Sequence, residues 1–89
     1  MARFKITTGE KWEYDYHGHK IVVTNGLDKC ELIVDGKVQD AHNGLALSVM
    51  LTGKVDDKPI KVSMGGFFDI KCSVFVDHEQ LACDKKSEF

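Results

Sequence analysis

The chain has 89 residues, 12 Lys and Arg against 14 Asp and Glu, a formal charge of -2 at pH 7 and a single proline; this suits one domain around one core and leaves no basic footprint for nucleic acid or an anionic membrane. No segment approaches the ~18 to 20 apolar residues that span a bilayer, and MARFKITTGEK is too polar for a signal peptide, so a cytoplasmic protein is expected. Three cysteines with no CxxC pair point to free thiols in a reducing compartment, not to a disulfide framework.

Within a single domain, 1–89, residues 1–9 read as an N-terminal arm. WEYDY then places Trp12, Tyr14 and Tyr16 on one strand face and Glu13 and Asp15 on the other, with a turn at His17-Gly18-His19. KIVVTN alternates Ile21 and Val23 against Val22 and Thr24, and CELIVD alternates Cys30, Leu32 and Val34 against Glu31, Ile33 and Asp35. Asp35-Gly36 is a type I′ hairpin signal that turns the chain into KVQDA. After Asn43-Gly44 comes LALSVMLT, in which Leu45, Leu47, Val49 and Leu51 alternate with Ala46, Ser48, Met50 and Thr52. A polar turn at Asp56-Asp57-Lys58 leads through Pro59 into the row Ile60, Val62 and Met64, and Gly65-Gly66 breaks that strand. A loop through Phe67 and Phe68 follows, and KCSVFVD then sets Cys72, Val74 and Val76 against Ser73, Phe75 and Asp77. HEQLACDKK holds either about two turns of helix or an edge strand with a frayed tail at 84–89.

KCELIVDGK at Lys29 to Lys37 returns as KCSVFVDHE at Lys71 to Glu79, 42 residues on. KIVVTNG is likewise matched by PIKVSMGG. One copy has too little apolar area to stand alone, whereas two can cover each other. The expected fold is therefore all-β: an antiparallel β-sandwich, ahead of a small barrel, of six to eight strands built from two repeated three-stranded meanders at 10–42 and 43–83.

The order of Trp12, HGHKI at His17 to Ile21 and VDGK at Val34 to Lys37 resembles the β-sandwich domains of the Fas apoptosis inhibitory molecule family. The resemblance implies a compact, non-catalytic sandwich that acts through protein contacts.

Four apolar residues fall on nominally outer faces: Ile33 and Phe75 at matching repeat positions, with Val22 and Met50 beside them. A contiguous patch of this kind marks an interface, either with a protein partner or with a second copy in a homodimer; scattered surface residues are the plain alternative. Trp12, Tyr14 and Tyr16 would grip a sugar, peptide or other small ligand on an open face, and would simply be core on a closed one. His17 and His19 share imidazole chemistry suited to zinc, copper or nickel, but two ligands do not make a site, and a simple polar turn is the reading expected for them. Cys30 and Cys72 point inward and read as core thiols. The carboxylates Asp35, Asp56, Asp57 and Asp77 sit in turns, and there is neither a phosphate-binding glycine loop nor a Ser, His and Asp order. A non-catalytic protein-interaction module without a cofactor is expected, with a small-ligand or carbohydrate binder second and a metal-binding protein third.

Overall fold

The computed structural model describes residues 9–26, 28–44, 48–66 and 70–88. The N-terminal arm as far as residue 8, Leu45 and Leu47 of the LALSVMLT row, and the Phe67-Phe68 loop lie outside the described residues.

The described chain is all β. Its strands are β1 (Gly9–Tyr16), β2 (His19–Gly26), β3 (Lys29–Val34), β4 (Lys37–Asn43), β5 (Ser48–Val55), β6 (Lys58–Gly65), β7 (Lys71–Val76), β8 (Glu79–Gln80) and β9 (Lys85–Glu88). They form two antiparallel sheets, ordered β4-β3-β2-β1-β9 and β5-β6-β7-β8, and not a closed barrel. The Asp35-Gly36 and Asp77-His78 turns each return a fourth strand, so each half is a four-stranded meander; these eight strands and β9, added beside β1, make nine among the described residues against the expected six to eight.

Four hairpins close through two-residue loops: His17-Gly18, Asp35-Gly36, Asp56-Asp57 and Asp77-His78. Both residues of every loop have positive φ, from 49° to 84°. This is the type I′ signature, in which the turn's twist matches that of the flanking strands. Only two of the four loops carry the glycine that adopts this conformation without steric cost.

The described inward rows predicted from alternation are buried, except for Cys72, which is half-buried. One buried cluster draws Trp12, Tyr14, Tyr16, Ile21, Val23, Leu32 and Val34 from the five-stranded sheet, and Val49, Leu51, Val55, Ile60, Val62, Met64, Val74 and Val76 from the other. At ~25 cal/mol per Å² of apolar surface removed from water, this shared burial is the main force holding the two sheets together.

The segment read as a tail is strand β9. After β8 the chain leaves the four-stranded sheet, and Asp84 N–H donates to the Glu13 carbonyl at 2.9 Å. Lys85 and Lys86 then pair with Glu13 and Trp12 of β1. Lys86 Nζ lies 5.6 Å from the Trp12 ring centroid and 3.7 Å from Glu10. Backbone pairing and these cation contacts make KKSE a strand, although it has no apolar alternation.

The opposite side is closed by side chains. A bulge opposite Leu32 and Ile33 leaves Gln39 as the extra residue of β4, between Val38 and Asp40. The Gln39 amide accepts from Lys54 N–H at 2.8 Å and donates to Lys54 C=O at 2.9 Å. Asp40 accepts from Thr52 N–H at 2.8 Å. These bonds occupy backbone groups on the edge of β5 that another chain could otherwise pair with.

Candidate functional site

The four outer-face residues do not make one patch. Val22 and Ile33 are cross-strand partners on the five-stranded sheet, whereas Met50 and Phe75 lie on the four-stranded one. Repeat equivalence put Ile33 and Phe75 at matching positions but could not place them on one surface, because the two copies belong to different sheets.

On the five-stranded sheet the row is longer than expected. Ile33 pairs with Val22 on one side and with Val38 of β4 on the other. Val22 and Ile33 are half-buried and Val38 is 55% exposed. Glu13, the β1 partner of Val22, ends the row, and its carboxylate pairs with Lys20 at 3.1 Å. Three apolar side chains thus stand in register across β2, β3 and β4, with a charged pair at one end. Val38 was missed because Lys37-Val38-Gln39-Asp40 shows no apolar alternation; its pairing with Ile33 is a matter of register.

On the other sheet, Phe75 is half-buried and borders a cavity of about 410 Å³ also lined by Thr52, Pro59, Ile60, Lys61 and His78. Met50 is 60% exposed. Its cross-strand partner is Ser63, so no apolar neighbour lies beside it on β6.

The aromatic row faces inward. Trp12, Tyr14 and Tyr16 are 4%, 2% and 8% exposed, so the open face that a stacked ligand would need is not there. The hydroxyls are satisfied within the protein: Tyr14 donates to Cys72 Sγ at 3.5 Å and Tyr16 accepts from Lys58 Nζ at 3.1 Å. Burial raises the Tyr14 pKa further above its ordinary value, with the thiol bond to Cys72 adding to it.

His17 and His19 part company. His17 stacks on the Tyr16 ring at 4.3 Å. His19 instead joins the two sheets: Nδ1 is 2.7 Å from Asp35 of the β3–β4 turn, and Nε2 is 3.0 Å from Asp56 of the β5–β6 turn. Ionised carboxylates only accept, so both bonds form only when both ring nitrogens carry protons. The Asp35 hydrogen bond is the main cause that raises the His19 pKa, and the same bond lowers that of Asp35, which also accepts from Lys20 N–H at 2.9 Å. Among the described residues no three His, Cys, Asp or Glu side chains come together as a metal-binding group.

The three cysteines are free. Cys30 is buried beside Asn25, to which its thiol donates at 3.1 Å. Cys72 is half-buried under Tyr14, and burial pushes its thiol up to about 11 despite the opposing effect of the Tyr14 hydrogen bond. Cys83, which did not figure among the core thiols, is exposed on the crossover between β8 and β9. No helix among the described residues is long and apolar enough to cross a membrane.

No family model, curated protein or solved structure matches the chain.

Proposed function

We propose that the chain is a small protein-interaction module: a β-sandwich made of two copies of one meander, which meets a protein partner or a second copy of itself through the Val22, Ile33 and Val38 row. The observation that carries this reading is the in-register apolar row on an outer sheet face, where polar side chains are the norm for a strand with one solvated side. The sandwich and the repeat are supported by the shared cluster and by the strand lengths. Those lengths run eight, eight and six residues in β1 to β3 and again in β5 to β7, with two-residue turns at matching points. The likeness to the Fas apoptosis inhibitory molecule domains points to the same class of function. Flat apolar contact is favoured over strand addition at β5, whose edge Gln39 and Asp40 already occupy.

Val38→Glu tests the proposal, because a residue this exposed tolerates the change within about 0.5 kcal/mol of stability. Native mass spectrometry of the untagged protein gives its subunit count, and quantitative affinity capture from cells gives its protein partners. Val38→Glu should abolish the dimer or the captured partner, while Phe75→Asp on the other sheet should leave it intact. Equal retention by wild type and Val38→Glu would remove the row from the function, and a loss confined to Phe75→Asp would transfer the function to the other face.

A further inference from the structure

Cys72 and Cys83 come from different parts of the chain, β7 and the crossover to β9, yet both border one cavity of about 410 Å³, together with Trp12, Ile70 and Lys86. The Tyr14 hydroxyl donates to Cys72 Sγ at 3.5 Å. Cys83 itself is held against the β1 backbone, its thiol 3.7 Å from the carbonyl of Glu13, the residue before Tyr14, and 3.4 Å from that of Lys85. The two thiols differ in access, Cys83 being exposed and Cys72 half-buried. Cys30 stands apart from them, its thiol bonded to Asn25.

We infer that Cys72 and Cys83 form a redox pair, oxidised by a peroxide to a reversible intramolecular disulfide that fastens the β8–β9 crossover to β7. The exposed Cys83 reacts first. Its thiolate attacks one peroxide oxygen, the O–O bond breaks, and the departing hydroxide takes a proton to become water. This leaves a sulfenic acid on Cys83. Cys72, after releasing its proton to solvent, attacks the Cys83 sulfur, the S–O bond breaks, and a second water leaves. In balance, two thiols lose two protons and two electrons, and one peroxide becomes two waters. Burial keeps Cys72 mostly protonated near neutral pH, so the second step is the slow one. The product ties an element of the four-stranded sheet to the strand that completes the five-stranded one, and closes the cavity between them.

Trypsin cleaves after Lys71 and Lys85, so both cysteines fall in one peptide, Cys72 to Lys85. After treatment with hydrogen peroxide and alkylation of the remaining thiols, this peptide should have lost two hydrogens and take up no alkylating agent until it is reduced, while Cys30 stays alkylatable. The closing step should accelerate about tenfold for each pH unit below the Cys72 pKa. In Tyr14→Phe it should slow severalfold while the first oxidation of Cys83 is unchanged, because the phenol no longer stabilises the Cys72 thiolate. Cys72→Ser should stop at the Cys83 sulfenic acid, which a dimedone reagent would trap. The inference is overturned if wild-type Cys83 proceeds to sulfinic acid, or to a disulfide between two chains, while Cys72 remains alkylatable.

Discussion

His19 shows how one side chain can link two sheets. Its ring is held between Asp35 and Asp56 at 2.7 and 3.0 Å, but about a third of the side chain is exposed, so water screens the pairs and their contribution is modest. The direction of its pH dependence follows from the shifts. The His19 pKa is raised on folding, so its contribution is fully present below the unfolded value of ~6.5 and is lost as pH rises through the folded value. The Asp35 pKa is lowered, so its share is present above the unfolded value of ~3.9 and is lost as pH falls through the folded value. Wild-type stability relative to His19→Gln should therefore be greatest between about pH 4 and 6.5 and shrink towards pH 8. Thermal melts of both proteins across that range would show it; parallel curves would mean that His19 contributes nothing through its charge. The HGH motif was visible in the sequence as a turn with two imidazoles. Its carboxylate partners were not, because Asp56 is 37 residues away from His19 and reaches it only when the sheets pack.

Among the elements, the corner between β4 and β5 depends on a missing side chain. A Cβ on Gly53 would lie 2.7 Å from Gln39 Oε1 and 2.9 Å from Leu32 Cδ2, so the Gln39 amide can reach the Lys54 backbone only over a glycine. Gly53→Ala should destabilise the protein by about 1 to 3 kcal/mol. The penalty should be partly relieved in the Gln39→Ala background, which removes the amide but leaves the Leu32 clash and the 3.3 Å approach of the residue-39 Cβ; a chemical-denaturation cycle would measure the coupling, and strict additivity would refute the contact. The β7–β8 turn makes the opposite prediction. His78 is held at φ 69°, a left-handed conformation that costs a residue with a Cβ roughly 1 to 2 kcal/mol. After glycine's own entropy cost, His78→Gly should raise stability by about 0.5 to 1 kcal/mol, read as a higher denaturation midpoint at unchanged slope. Asp35-Gly36 announced its turn because the pair is the preferred type I′ sequence. Asp77-His78 was marked by its aspartate and by the repeat but lacks the glycine of the preferred type I′ pair, so its exact geometry was not legible.

For the whole molecule, the decisive fact is that neither sheet has a core of its own. Leu32 and Leu51 are both fully buried, at 0% and 1% exposed, in the one cluster that draws on both sheets. Truncating either to alanine should cost about 2 to 5 kcal/mol. Because unfolding should be cooperative in a domain of this size, Leu51→Ala in the four-stranded sheet should shift the transition reported by Trp12 fluorescence in the five-stranded sheet as much as it shifts the circular dichroism of the whole chain. Separate transitions would show that the sheets fold independently. The sequence by itself determined which side is buried in every strand that alternates: a period of two between apolar and polar residues has one physical meaning, and Trp12 to Tyr16, Ile21 and Val23, Cys30 to Val34, Ile60 to Met64 and Val74 to Val76 follow it inward. It also located the turns wherever glycine or aspartate chemistry favours them. Only the tertiary structure decided which sheet each strand joins, that KKSE becomes β9, that Val38 completes a row with Val22 and Ile33, and that Tyr14 meets the thiol of Cys72, 58 residues away. Each of these depends on contacts between distant residues, and alternation along a strand carries no information about what lies across from it.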